Sequence, residues 1–172
     1  VVWRKKMKRK TFLTKISLGV GITLFPISRL NAQTNNNTFS LEEIKEFVFA
    51  GHNDLDKVKY ILDEKPQIIN CTNQSKRGDF ETAIGGASHV GNKEIADYLV
   101  SKGARLDMFN YTFLGYTEFI KKQIIEFPHL LNAPGPHGFT LLHHAIKGGH
   151  EVFADWLKSK GLKETYFKGY FG

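Results

Sequence analysis

"ASHVGNKEIADYLVSKGA", Ala87 to Ala104, and "AIKGGHEVFADWLKSKGL", Ala145 to Leu162, are one phrase written twice, 58 residues apart. Ala, Gly, Ala-Asp, Leu and Ser-Lys-Gly recur in the same order. Ile95, Ala96 and Leu99 in the first copy fall at helical spacing, as do Val152, Phe153, Trp156 and Leu157 in the second. Gly91 and Gly149 precede these helices, and Gly103 and Gly161 follow them. Such glycines predict helix ends where the backbone turns through positive φ, which only Gly adopts cheaply.

The same grammar extends to both sides. A helix-breaking residue stands at Asn53, where Asn is expected to tolerate positive φ in place of Gly, and at Gly91, Gly115 and Gly149, at intervals of 38, 24 and 34. Leu55, Val58, Ile61 and Leu62 follow the first break, and Phe119, Ile120 and Ile124 the third. "PQIIN" ends at Asn70 and "PHLLN" at Asn132, each 17 residues past its break. Units one and three therefore match each other, as units two and four do. The array opens at Ser40-Leu41-Glu42-Glu43, a capping-box pattern ahead of the apolar face Leu41, Ile44, Phe47 and Val48. One unit cannot bury its apolar face alone, so stability is shared between neighbours. Small Ala87, Ala96, Ala145 and Ala154 let the helices approach closely.

A helix–Gly–helix–Gly period of about 33 residues resembles the ankyrin repeat. The nearest local match is Thr140-Leu141-Leu142-His143-His144-Ala145, similar to the family's T-P-L-H-x-A with Leu141 in place of Pro. "TAIGGA", Thr82 to Ala87, matches more loosely. The resemblance covers residues 40–163 and implies an all-α fold, an ankyrin-repeat α-solenoid of helix-turn-helix units with short finger loops. With the repeats at 40–163, the chain reads as an export signal at 1–32, a linker at 33–39, the repeat domain and an aromatic tail at 164–172. The third unit is about nine residues short of a full period. "GARLDMFNYTFLG" leaves no room there for a finger, while the finger around "TNQSKRGDFE" is long and "NAPGPHGF" is stiffened by Pro and Gly. The expectation is a notch flanked by two fingers.

The formal net charge of +7 is concentrated in one place. Residues 1–32 hold eight Lys/Arg and no acid, and the remainder has 16 basic against 17 acidic residues. "RKKMKRK" followed by the apolar stretch Ile16 to Ile27 reads as a signal peptide, too short for a membrane-spanning helix. "RKTFLTK" resembles a twin-arginine signal with Lys10 replacing the second Arg, and Leu30-Asn31-Ala32 is a weak cleavage site. Met7 is a candidate start. Export to a bacterial periplasm by the twin-arginine route is expected. A near-neutral remainder excludes a basic stripe for nucleic acid. Cys71, the single cysteine, excludes an intrachain disulfide and a cysteine-based metal site.

Seven histidines raise the question of chemistry. His143 and His144 are adjacent on a helix and diverge by about 100°, so both cannot hold one ion. His143, in the T-P-L-H position, is expected to bond backbone. Ser88 beside His89 is adjacency rather than a catalytic triad, and Glu81 is expected either to cap finger N–H groups or to serve a site. Asp79, Phe80, Glu81, His89, His137, Phe139 and His144 are the candidate partner-binding residues, with convergence across the notch expected. The leading reading is a monomeric protein–protein interaction module, not an enzyme, with no cofactor or metal. The competing reading is a small-molecule or metal-binding protein, hydrolytic in one version, with Glu81, His89 and His144 meeting in a pocket.

Overall fold

A computed structural model describes residues 38–172, and the export signal proposed for 1–32 lies outside them. Among the described residues the fold is mostly helical, with eight α-helices and one two-stranded hairpin. Ser40 starts α1 (Leu41–Asn53) by accepting the Glu43 N–H at 3.2 Å, while Glu43 accepts the Ser40 N–H at 2.8 Å. Asp54 caps α2 (Leu55–Glu64), and a 3-10 turn, Pro66–Asn70, leads outward. The antiparallel hairpin follows, β1 (Asn73–Lys76) with β2 (Asp79–Glu81), turning at Gly78. Helices α3 (Ala83–Val90) and α4 (Lys93–Ser101) form the second pair. Then come α5 (Met108–Phe113), α6 (Thr117–Glu126), the 3-10 turns Pro128–Asn132 and Pro136–Gly138, α7 (Leu141–Lys147) and α8 (Glu151–Ser159).

The first helices of the pairs stack in chain order, α1 on α3, α3 on α5 and α5 on α7, and each second helix packs beside its own first. After most helices the chain turns back through one bond. The N–H groups of Asn92, Ala104, Tyr116, His150 and Leu162 each donate to the carbonyl five residues earlier. Gly91 at φ 89° and Gly149 at φ 74° make that turn possible at the two copies of the phrase. Asn53 does not take this part. It belongs to α1, and His137 is the only non-glycine residue with positive φ among those described. The first break is made by Asp54 as N-cap of α2 instead.

Two apolar cores meet at α5. Phe47, Val58, Ile68, Ile84, Ile95 and Leu99 centre the first; Ile120, Leu141, Leu142, Phe153, Leu157 and Leu162 centre the second. Helix α5 is only six residues long, and it divides Phe113 and Phe109 between them. Asp107 holds so short a helix by accepting the N–H groups of Phe109 and Asn110, both at 2.9 Å. Burial raises its carboxyl above the usual range, against those bonds. No finger stands between Gly103 and Met108. The shortened unit lets α7 touch α3 directly, and the hairpin touches the 3-10 turn at His137. The expected notch is thus closed by its own flanks.

The tail folds back on the last finger. The Thr140 N–H donates to the Thr165 carbonyl at 3.1 Å, and the Phe167 N–H to the Gly138 carbonyl at 2.9 Å. Lys76 Nζ reaches the Gly172 carbonyl at 2.7 Å. No described helix is long and apolar enough to cross a membrane.

Candidate functional site

Strand alternation sets the site's first two side chains. In β2, Asp79 and Glu81 point inward and are buried, while Phe80 between them points out and is 54% exposed. Asp79 acts as the buried cap. Its carboxylate accepts the His137 N–H at 2.8 Å, the His137 Nδ1–H at 2.8 Å and the Ser75 hydroxyl at 2.6 Å. Burial raises its pKa, but those donors outweigh it and hold the carboxyl below its usual range. For His137 burial lowers the pKa, but Asp79 and Glu81 raise it more, leaving the ring above its ordinary value. The price of this arrangement is His137 at φ 60°, a left-handed conformation that costs about 1–2 kcal/mol in a residue with a Cβ.

Glu81 is different. Its side chain is 4% exposed and accepts no backbone N–H, so the expectation that it caps the finger fails. Three imidazoles surround it instead. His89 Nδ1 lies 2.9 Å from Oε1, His137 Nε2 lies 3.3 Å from Oε2, and His52 Nε2 lies 3.6 Å from Oε2. Although Oε1 and His89 Nδ1 are close, they are not aligned as a hydrogen bond, and both atoms are buried without another partner. The rings stack edge to face, His52 with His89 at 4.9 Å and His89 with His137 at 5.3 Å between centroids.

Of the seven residues selected from the sequence, Asp79, Glu81, His89 and His137 are brought together. Phe139 borders them, half-buried, its ring 5.1 Å from that of His89 and 4.1 Å from that of His143. Phe80 faces solvent. His144 is elsewhere, and its expected convergence with Glu81 is wrong. It is fully buried against Phe109, donating from Nδ1 to the Thr140 carbonyl at 2.8 Å. Burial lowers its pKa to about 3. The reason is helical phase: His143, one residue away, faces α3 and donates from Nε2 to the His89 carbonyl at 2.8 Å.

His52 is the residue sequence reasoning missed. It lies at the end of α1, donates from Nδ1 to the Val48 carbonyl at 3.1 Å, and fills space left by Gly86. A Cβ on Gly86 would stand 2.7 Å from its ring. A glycine inside a helical phrase was the available signal, since it marks a close approach.

No family model, no curated protein and no solved structure matches the chain.

A cleft of about 700 Å³ opens above His89, His137 and Asp79. Phe139, Tyr166 and Tyr170 make its apolar wall. The hairpin forms one side and the returning tail the other. A hollow between α1 and α2 is lined by charges already paired with each other, Lys57 with Glu46 at 2.8 Å and Lys65 with Glu43 at 2.6 Å. The cleft over the imidazoles is therefore the candidate site.

Proposed function

We propose that the chain is an exported ankyrin-repeat protein acting as an interaction module for another protein in the bacterial envelope. The ankyrin reading is supported by the repeated phrase, the T-L-L-H-H-A segment and four stacked helix pairs. Export to the periplasm by a twin-arginine route is supported by residues 1–32 alone. The observation that carries binding is Phe80. Its neighbours Asp79 and Glu81 are drawn inward, which forces a large aromatic ring out into solvent on the other face of the hairpin. Exposed aromatic rings are frequent anchors of protein recognition.

Affinity capture from an envelope extract tests this reading. Immobilised protein should retain one partner that Phe80→Ala loses, by tenfold or more in affinity. Retention of the same material by both forms would reject it.

A second reading, a small-molecule or metal-binding protein, is favoured by one specific observation. Glu81 is buried among three imidazoles without a backbone donor.

A further inference from the structure

We propose that His52, Glu81, His89 and His137 bind one divalent transition-metal ion, zinc or a cation of similar softness. Each of the four offers one ligand atom, and the atoms all lie within 4.8 Å of one another. The inference rests on the metal-binding reading above and on this geometry, and is independent of the ankyrin and export readings.

The spacing fits an ion. Tetrahedral zinc with bonds of about 2.0–2.1 Å separates its ligand atoms by about 3.3 Å. Glu81 Oε2 lies 3.3 Å from His137 Nε2 and 3.6 Å from His52 Nε2, close to that edge, and its other oxygen, Oε1, lies 2.9 Å from His89 Nδ1; separations of up to 4.8 Å within the set shorten as the ion binds.

The tautomers fit as well. A carbonyl and an ionised carboxylate can only accept. His52 must therefore carry a proton on Nδ1 to bond Val48, and His137 on Nδ1 to bond Asp79. In each neutral ring Nε2 then presents a lone pair to the Glu81 carboxylate. Lone pair against carboxylate is repulsive unless a proton or a metal cation lies between them. Protonating all three rings would crowd like charges at centroid distances of 4.9 and 5.3 Å in a partly buried space. One divalent ion answers all four groups together. It also gives the unpartnered, buried Oε1 of Glu81 and Nδ1 of His89 something to bind.

The surrounding groups resemble a metal centre's outer layer. Ligating histidines commonly donate their second nitrogen to a carboxylate or a backbone carbonyl, as His137 does to Asp79 and His52 to Val48. The left-handed backbone at His137 keeps its N–H and its Nδ1–H on the same carboxylate, and so aims Nε2 at Glu81. Gly86 leaves the room that the His52 ring occupies. Three nitrogens and one oxygen suit zinc, nickel, cobalt or ferrous iron better than magnesium or calcium, which prefer oxygen alone. His89 and His137 also line the cleft, so a ligand there would lie beside the ion.

The test is metal binding by untagged protein stripped with a chelator. Zinc should be retained at one ion per chain after desalting, and should raise the melting temperature. Cobalt should give the intense visible bands of a low-coordinate site. Asp79→Asn should weaken binding about 10- to 100-fold, as loss of an outer carboxylate does elsewhere. Glu81→Gln and His89→Ala should weaken it further. His137→Gln removes a half-exposed ligand and guards against a variant that does not fold, with circular dichroism confirming the helices. His144→Gln lies outside the cluster and should bind as wild type does. Failure of the wild-type protein to retain an ion would overturn the proposal. So would unchanged affinity in folded Glu81→Gln and His137→Gln.

Discussion

Helices α3 and α7 are the same element used in opposite ways. Both start at a threonine N-cap, Thr82 or Thr140, and both end near a left-handed glycine. At matching positions α7 carries His143 and His144 where α3 carries Gly85 and Gly86. In α7 the imidazoles fill their own space and bond backbone carbonyls, at His89 and Thr140. His150 does the same to Phe113 at 2.8 Å. In α3 the glycines leave a hollow, and His52 enters it from α1. Histidine number says nothing about chemistry; what the second nitrogen faces does. Around α7 each ring is satisfied by a carbonyl, whereas around α3 three rings face one carboxylate.

Close approach is the first way to break this comparison. A Cβ on Gly51 would collide with the backbone of Ala83, which cannot move aside as a side chain could. Helix α7 makes its own backbone approach at its other end, where a Cβ on its C-cap Gly148 would meet the Phe113 carbonyl of α5. Gly51→Ala should lower unfolding free energy by about 3 kcal/mol, read by urea denaturation. A loss below about 1 kcal/mol would mean that α1 and α3 are not so tightly apposed.

Acid separates the two histidine groups next. His144 has a folded pKa of about 3 against an ordinary 6.5. As pH falls below 6.5 the unfolded chain takes up this proton and the folded chain does not. The contribution is zero above neutrality and becomes destabilising toward pH 3, at about 1.4 kcal/mol per pH unit. Between pH 6.5 and 5 the loss should be about 2 kcal/mol. Melting curves with a chelator present should flatten in His144→Phe. An unchanged slope in that variant would remove His144 as the acid-sensitive group.

The two N-caps sharpen the comparison further. Thr82 accepts the Gly85 N–H at 3.1 Å, and Thr140 accepts the His143 N–H at 3.4 Å while also donating to the Glu164 carbonyl at 2.7 Å. Thr82→Ala should cost about 1 kcal/mol. Thr140→Ala should cost about 2 kcal/mol, because one of the tail's hydrogen bonds, to the Glu164 carbonyl, is lost too. Equal losses would show that this bond contributes nothing to stability.

Gly86→Ala should have the smallest effect on folding, under about 1 kcal/mol, since higher helix propensity offsets the displaced ring. Its zinc affinity should nevertheless drop at least tenfold, because the His52 ring is pushed from its place. Undiminished affinity would show that His52 is not a ligand.

Much of the fold was legible because repetition is a property of the chain. The phrase at Ala87 and Ala145, the matched "PQIIN" and "PHLLN", and the Ser40 capping box all correspond to observed turns and caps. Asn53 misled, since Asn tolerates positive φ but Asp54 supplies a cap that needs none. Of the site, the fingers and their carboxylates were visible as departures from the repeat. His144 was selected in error because adjacency on a helix conceals which residue faces which neighbour.

The sequence by itself determined the local structure: helical periodicity, glycine turns and caps. These follow from backbone geometry over a few residues. Only the tertiary structure decided that the two fingers meet, that the tail walls a cleft, and that His52 joins His89 and His137 about Glu81. Those residues lie on four separate segments, and a donor atom's direction depends on what each ring's other nitrogen bonds across the fold.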